Sequence, residues 1–470
     1  MGLDQIKFGT DGWRAVIAEQ FTFANVKRVA RAYARFILNE RLPANGIAVG
    51  FDTRFLSREF AAAFAAEVAA YKIPVWLSDR FIPTPVLSFT VKQRNLAGGV
   101  MITASHNPYQ YNGIKFKDEY GGPVLNDTTH RIATALDSEA RAPNGAEKAN
   151  AYIQNENFVE DYIHHLDKRV DLQLIRKLDQ TVIFCPMHGA GIGLLPQIIG
   201  DASIQWISIM NSVNPLFNFR HPEPITENLA VLKQRIKEEQ AYIGIATDGD
   251  ADRLGIMDEK GRFVQLHDLM PILLKHLRET KPTNGKVVRS TSMADTVDRV
   301  AADYNINVIE VPVGFKNVTR EMINQQVILG GEESGGFGYG NHLPERDGIL
   351  SALLTMECLA KTGKSMAEHV GELRDRYGPF AYGRVDQYGD AQVIASNLQR
   401  LCQTPPQKLG PFKVDTINTM DGIKLYFTDR SWMLIRASQT EPLARIYAAA
   451  DRQTKVKSII QHGKALIFNK

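Results

Sequence analysis

The stretch TDGDADR, Thr247 to Arg253, sets Asp248, Asp250 and Asp252 at alternate positions between the apolar runs YIGIA (Tyr242 to Ala246) and LGIM (Leu254 to Met257). Like charges raise one another's pKa and repel, so carboxylates this crowded require a positive charge among them. A hard dication such as Mg²⁺, which prefers oxygen ligands, suits the set. With Glu259, the three aspartates also fall at positions 1, 3, 5 and 12 of a calcium hand. That loop needs Gly where Arg253 stands, and the flanks here read as strands. A solvated acidic turn is the remaining alternative.

A second candidate is TASHNPYQYNGIKFK, Thr103 to Lys117, where Ser105 follows a buried strand, His106 stands beside it and Lys115 comes ten residues on. The competing reading is a polar turn in which Ser and Asn cap the backbone. A serine-hydrolase elbow needs G-x-S-x-G, and MITASHN (Met101 to Asn107) holds no glycine. GEESGGFGYG, from Gly331, offers Glu332, Glu333 and Ser334 in a flexible loop suited to a polyhydroxylated ligand, or simply a turn. RASQTEPLAR presents Arg436, Ser438, Gln439, Thr440 and Arg445, a donor-rich set for phosphate oxygens, or an exposed loop with two arginines.

Three look-alikes fail on spacing. GAGIGL (Gly189 to Leu194) has Leu at the sixth position of a dinucleotide fingerprint and no acid about 20 residues on. TGKS (Thr362 to Ser365) has Cys358 in place of the first P-loop glycine. Cys185 and His188 have no second pair of metal ligands nearby and read as packing residues.

The elements that must position these loops repeat. GIAVGFD, IPVWLSD and GGVMITA read as strands with helices Ser57 to Lys72 and PTPVLSFTVKQRN between them, and SHNP follows the third strand. TVIFCPMH, IQWISIM and YIGIAT, with helices from Leu194 and over Glu227 to Gln240, end in DGDADR. KVVRSTS, INVIEVPV and QVILGG, with helices near 294–304 and 317–324, end in GEESGG. Alternating strands and helices imply parallel sheets whose ligand sites lie beyond the carboxyl ends of the strands. After Tyr377 the pattern changes to the alternating strands GIKLYFT, WMLIRAS and ARIYAAA and a helix over Thr454 to Phe468. The expectation is an α/β protein of three similar domains with mainly parallel mixed sheets, 1–150, 151–260 and 261–375, and a smaller C-terminal α+β domain, 376–470, around a central active-site cleft.

Composition narrows the setting. A length of 470 residues exceeds what one core normally holds. The net charge of +3 is too balanced to argue for nucleic acid or a membrane surface. Three scattered cysteines suit a reducing compartment, the N-terminal MGLDQIKFG has no apolar signal core, and no run reaches the length of a membrane span. These features read as a cytoplasmic, soluble chain. They leave its oligomeric state open.

FGTDGWR (Phe8 to Arg14), TASHNP with NGIKF, DGDADR, GEESGG and R-A-S-x-TEP stand in the order and spacing of the α-D-phosphohexomutases, which this chain resembles over nearly its whole length. The resemblance implies the phosphoglucomutase/phosphomannomutase type, which interconverts hexose 1-phosphate and hexose 6-phosphate through a phosphoserine and a hexose 1,6-bisphosphate that also serves as activator. It implies that Ser105 carries the phosphoryl group and that Mg²⁺ is held by Asp248, Asp250, Asp252 and an oxygen on Ser105. Lys115 would be the acid/base, with His106, Arg14 and Arg253 at the phosphoryl group. Glu332 and Ser334, flanked by Gly331 and Lys316, would bind the sugar, and Arg436, Ser438, Gln439, Thr440 and Arg445 the other phosphate. Such chemistry asks mainly for positioning and charge neutralisation.

Two departures bear on the substrate. Many mannose-active and dual-specificity members carry His where this chain has Gly336, so glucose is favoured and a proton-transfer role for that His does not carry over. Gln439 replaces a usual Gly, which strains the backbone if φ is positive there or else adds a donor. Phosphomannomutase and phosphoglucosamine mutase are the alternatives within the class. A noncatalytic sugar-phosphate-binding regulator is the alternative outside it.

Overall fold

In the computed structural model, residues 6–9, 12–40, 44–136, 150–281, 283–438 and 441–468 are described. The buried apolar runs form the strands. The first sheet holds β1 (Trp13–Val16), β2 (Ile47–Phe51), β3 (Val75–Ser78), β4 (Gly98–Ile102), β5 (Tyr111–Lys117) and β6 (Ile153–Glu156), in the order β1-β5-β4-β2-β3-β6. The second holds β7 (Thr181–Cys185), β8 (Gln205–Ser208), β9 (Ile243–Thr247), β10 (Leu254–Met257) and β11 (Phe263–Val264), ordered β11-β10-β9-β7-β8. The third holds β12 (Lys286–Ser290), β13 (Val308–Val311), β14 (Val327–Gly331) and β15 (Phe337–Tyr339), ordered β13-β12-β14-β15.

One topology underlies all three. The first strand of each unit lies between the second and third, both parallel to it, and the third then turns back into an antiparallel neighbour: β4 into β5, β9 into β10, β14 into β15. Helices Ser57–Ala69 and Thr84–Gln93, Leu194–Ile199 and Ala230–Glu239, and Thr296–Asp303 and Phe315–Asn324 make the crossovers that parallel neighbours require. SHNP, DGDADR and EESGG are therefore the tips of three equivalent hairpins. The sequence reading places these loops after strands and reads LGIM, the second return strand, as a strand, but does not assign the returns after SHNP and EESGG.

The fourth sheet is antiparallel throughout. Its strands are β16 (Ala381–Tyr388), β17 (Lys408–Leu409), β18 (Phe412–Asn418), β19 (Ile423–Phe427), β20 (Trp432–Ala437) and β21 (Leu443–Ala450), ordered β16-β21-β20-β19-β18-β17. Helices Ala391–Gln403 and Gln453–Phe468 pack against it. Its phosphate-loop candidate is again a hairpin tip, between β20 and β21.

The units share apolar interior unequally. Phe89, Tyr162, Leu254, Leu269, Leu329 and Leu353 belong to one continuous core running through the first three, whereas the fourth closes a core of its own around Ile423, Ile435, Ile446 and Ile459. Two elements fall across the expected boundaries. β6, past residue 150, pairs with β3 of the first sheet, and β11, past 260, extends the second. Among the described residues no helix is long and apolar enough to cross a membrane.

Candidate active site

Buried charge dominates the place where the first three hairpin tips meet. Ser105 is 1% exposed and takes a left-handed φ of 52°, a conformation disfavoured for a side chain with a Cβ. Its hydroxyl donates to Asp248 Oδ2 at 2.8 Å, and its backbone N–H donates to Thr103 Oγ1 at 2.8 Å. The two loops touch at Gly249, where a Cβ would lie 2.4 Å from the Ser105 carbonyl oxygen, so only glycine permits this approach.

Arg54 holds the serine loop in shape. It follows β2, is fully buried, and donates to the carbonyls of Ser105 and Asn107 at 2.6 Å, Pro108 at 2.8 Å and Tyr111 at 3.0 Å. Asp52, which accepts from Thr103, Ser57 and the Arg54 backbone, ties Arg54 in turn. Neither residue is a candidate in the sequence reading. The FDTR stretch carries no recognisable spacing, and its partners lie about fifty residues away.

Asp248, Asp250 and Asp252 are fully buried, and one oxygen from each lies within 4.8 Å of the others. The hairpin alternation of β5 aims Lys115 into this cluster, with Nζ 2.6 Å from Asp250 Oδ2 and 2.9 Å from Asp252 Oδ2. Its partners are thus carboxylates. Lys117, two residues on and on the same face, meets Glu345. Thr84, at the start of helix Thr84–Gln93, donates through Oγ1 to Asp250 Oδ2 at 2.6 Å, and Arg346 Nη2 donates to Asp252 Oδ2 at 2.7 Å.

The three carboxyls titrate differently. Burial, then repulsion by Asp250 and Asp252, drives Asp248 well above the usual carboxylate range. Burial pushes the other two the same way, but Lys115 and Thr84 bring Asp250 below its usual value and Arg346 brings Asp252 below. Asp250 Oδ1 and Asp252 Oδ1 remain buried without a hydrogen-bond partner among the described residues. Two such orphaned oxygens beside Asp248 fit a hard cation, so the residues present suit Mg²⁺.

The other expected residues divide by place. His106 Nδ1 lies 3.4 Å from Ser105 Oγ, and burial together with Arg253 and Arg14 holds its pKa well below the usual value, so the ring is neutral near pH 7. Arg14 donates to Asn107 Oδ1 at 2.9 Å, and Arg253 lies 3.3 Å from Glu223 Oε1. Glu332 is buried and caps the Gly314 N–H at 2.7 Å; burial and Glu333 push its pKa up to about 7 against the pull of Arg346. Ser334 is partly exposed in the same tip. Gly331 packs against Phe337 and Met270, and Lys316 reaches the Asn126 side chain.

Arg346 explains Gly336. A Cβ at residue 336 would lie 2.1 Å from Arg346 Cδ, so the arginine stem fills the space a side chain there would need. Its guanidinium spans from the Phe315 ring, 5.4 Å to the centroid, to Asp252. The turn after it presses on the aspartate loop, since Gly348 lies against the Arg253 and Ala251 carbonyls. Sequence reasoning misses Arg346 because its partner lies 94 residues earlier.

The fourth tip connects by a relay. Arg436 Nε lies 3.0 Å from Asp421 Oδ2, which accepts from the Val313 N–H at 2.9 Å, next to the Gly314 that Glu332 caps. Arg445 stands opposite Arg436 in the β20–β21 register and faces Asp386 and Glu441. Ser438 Oγ accepts from the Glu441 N–H at 3.3 Å. Gln439 and Thr440 lie outside the described residues.

Models of the phosphoglucomutase/phosphomannomutase α/β/α domains I, II and III match residues 5–142, 160–261 and 267–377. The phosphoglucomutase/phosphomannomutase of Thermococcus kodakarensis is 30% identical, with 98% of each chain aligned. The chain belongs to the phosphoglucomutase/phosphomannomutase family. As a member of this family it is an intramolecular phosphotransferase. The phosphoglucosamine/phosphogalactosamine mutase of Sulfurisphaera tokodaii is 28% identical over 98% of this chain and 99% of its own. A Thermus thermophilus protein whose crystal structure carries the provisional name phosphomannomutase superposes with a TM-score of 0.86 at 35% identity, over 98% of this chain and 99% of that one.

Proposed function

We propose that this member of the family interconverts hexose 1-phosphate and hexose 6-phosphate, with glucose the favoured sugar, and that Ser105 carries the phosphoryl group. The observation that carries the reading is the hydrogen bond from Ser105 Oγ to Asp248 Oδ2. It sets a phosphorylatable hydroxyl against a dication site, an arrangement that a sugar-phosphate-binding regulator has no use for.

In this reading a sugar hydroxyl attacks the phosphorus on Ser105. The bond to the serine oxygen breaks as the bond to the sugar forms, which leaves a hexose 1,6-bisphosphate. Lys115, acting in its uncharged form, takes the hydroxyl proton and returns it when the second phosphate passes back to Ser105. Asp248, Asp250, Asp252 and an oxygen on Ser105 would hold Mg²⁺, whose charge stabilises the transferring group. Arg14 and Arg253 flank that group, with neutral His106 beside the serine. Glu332 and Ser334 bind sugar hydroxyls while Arg436, Ser438, Thr440 and Arg445 hold the idle phosphate. Arg346 fills the space of the absent side chain at 336 and steadies Asp252.

Amino-sugar phosphates are the second reading, supported by the Sulfurisphaera relative. Coupled assays with glucose, mannose and glucosamine 1-phosphates, primed with the matching bisphosphate, decide between them. A kcat/KM at least tenfold higher for glucose 1-phosphate supports the first reading. A preference for glucosamine 1-phosphate overturns it.

A further inference from the structure

A cavity of about 560 Å³ opens where residues 340–343 meet helices Thr84–Gln93 and Val159–Asp167. Lys92, Lys168 and Arg169 line it. Among the described residues none of the three has a carboxylate within ion-pairing distance; Lys92 donates to the His342 carbonyl at 2.9 Å. The acid on the wall, Asp161, lies 3.5 Å from Arg94. The C-terminal ends of the two helices offset roughly half a charge each. Arg94 is also held by Glu156 at 2.7 Å, so Asp161 offsets a further charge and an excess of about one positive charge remains. Arg169 is half-buried, and Lys92 and Lys168 are exposed at the rim.

The floor of this groove leads to the active site. His165 stacks between the rings of Phe89 and His342, and its Nε2 lies 2.9 Å from His342 Nδ1. His342 Nε2 lies 2.7 Å from Asp347 Oδ2, and Asp347 caps helix Gly348–Thr362. The residue before Asp347 is Arg346, which reaches Asp252. Anything seated on His165 and His342 therefore bears on the loop that carries Arg346.

We propose that this groove is a second anion site, for a compact phosphate-bearing molecule with more than one negative charge, and that its occupancy is felt at the active site through His342, Asp347 and Arg346. Cations without a carboxylate partner favour a multivalent anion, and arginine with two lysines suits phosphate oxygens. The binding half of the inference is independent of the proposed reaction. The coupling half rests on it.

Two measurements test the halves separately. Calorimetry with inorganic pyrophosphate in metal-free buffer should show two binding events on the wild type and one on the Lys168→Glu/Arg169→Glu variant. If that double reversal does not fold, Lys168→Gln/Arg169→Gln gives the same readout. A single event on the wild type, or two on the folded variant, overturns the site. In the mutase assay sulfate should raise KM in both proteins by competing at the active site, but should change kcat at least twofold in the wild type alone. A kcat that sulfate leaves unchanged in the wild type, or changes equally in both proteins, overturns the coupling.

Discussion

The tip of the β9–β10 hairpin and the tip of the β20–β21 hairpin are both hairpin turns, held in different ways. The first buries three aspartates completely and is clamped by Lys115 and Thr84 from the first unit and Arg346 from the third. The second tip touches the rest through Arg436 and Asp421, and its domain keeps a separate core. The difference teaches where exactness is needed. In the proposed reaction, charge at the transferring phosphoryl group must be met by groups that do not move, whereas a loop that gripped either phosphate in turn would have to release each.

The largest effect should follow from changing charge in the rigid tip. Asp250→Asn should lower kcat on the order of a thousandfold or more, since electrostatic stabilisation of the transferring group is usually the largest single contribution. Chelation should abolish turnover of the wild type. Steady-state assays with bisphosphate primer check both, and full activity in excess chelator would sink the metal assignment.

Geometry ranks next. Gly249→Ala places a Cβ 2.4 Å from a backbone oxygen of the serine loop, and backbone cannot rotate away as a side chain can. A displacement near 1 Å costs about a hundredfold in rate. We expect that loss with little change in KM. Unaltered kcat in a folded variant would mean the two loops need not touch.

A smaller effect belongs to the second tip in the comparison. Arg436→Ala should lower kcat and raise KM in both directions, each by about tenfold, the scale of one hydrogen bond to a charged group. Free glucose, which lacks the phosphate, should accept the phosphoryl group slowly from wild type and variant alike. Equal slowing of glucose and glucose 1-phosphate in single-turnover transfer would move Arg436 to the reacting centre.

Protonation gives a smaller signature still, in the sugar loop. Glu332 has a folded pKa of about 7 against 4.5 as its ordinary value, so the folded state keeps its proton where the unfolded state has lost it. Its contribution to stability is present below about pH 4.5 and is lost as pH rises to 7. Glu332→Gln, which cannot titrate, should therefore gain in Tm relative to wild type between pH 5 and pH 8 in metal-free buffer. A constant difference in Tm across that range would contradict the buried, proton-holding environment. The smallest effect is expected at Gln439→Gly, within about 1.5 kcal/mol of transition-state free energy, the scale of one neutral hydrogen bond.

Much of this arrangement is readable in one dimension. The parallel strands of the three repeated units are mostly apolar runs, the hairpin tips follow them directly, and the alternating aspartates call for a positive charge among them by electrostatics alone. The return strands β5 and β15 are less legible because each begins inside or just after a motif read as loop, whereas LGIM of β10 reads as a strand. β6 escapes for another reason: IQNE is half exposed at a sheet edge and shows no apolar pattern. Arg54 and Arg346 are invisible in principle to local reading. An arginine that binds four carbonyls, or one that fills the space above a glycine, acquires its role from partners that only the fold supplies.

The central claim is that Ser105 carries the phosphoryl group that moves to the sugar. Intact-mass and peptide mapping of the protein after exposure to glucose 1,6-bisphosphate, then after a chase with glucose 1-phosphate, tests it most directly. The account predicts a gain of one phosphoryl group on Ser105 that the chase removes, and no gain in Ser105→Ala. A phosphoryl group on another residue, or turnover in Ser105→Ala close to that of the wild type, would contradict it.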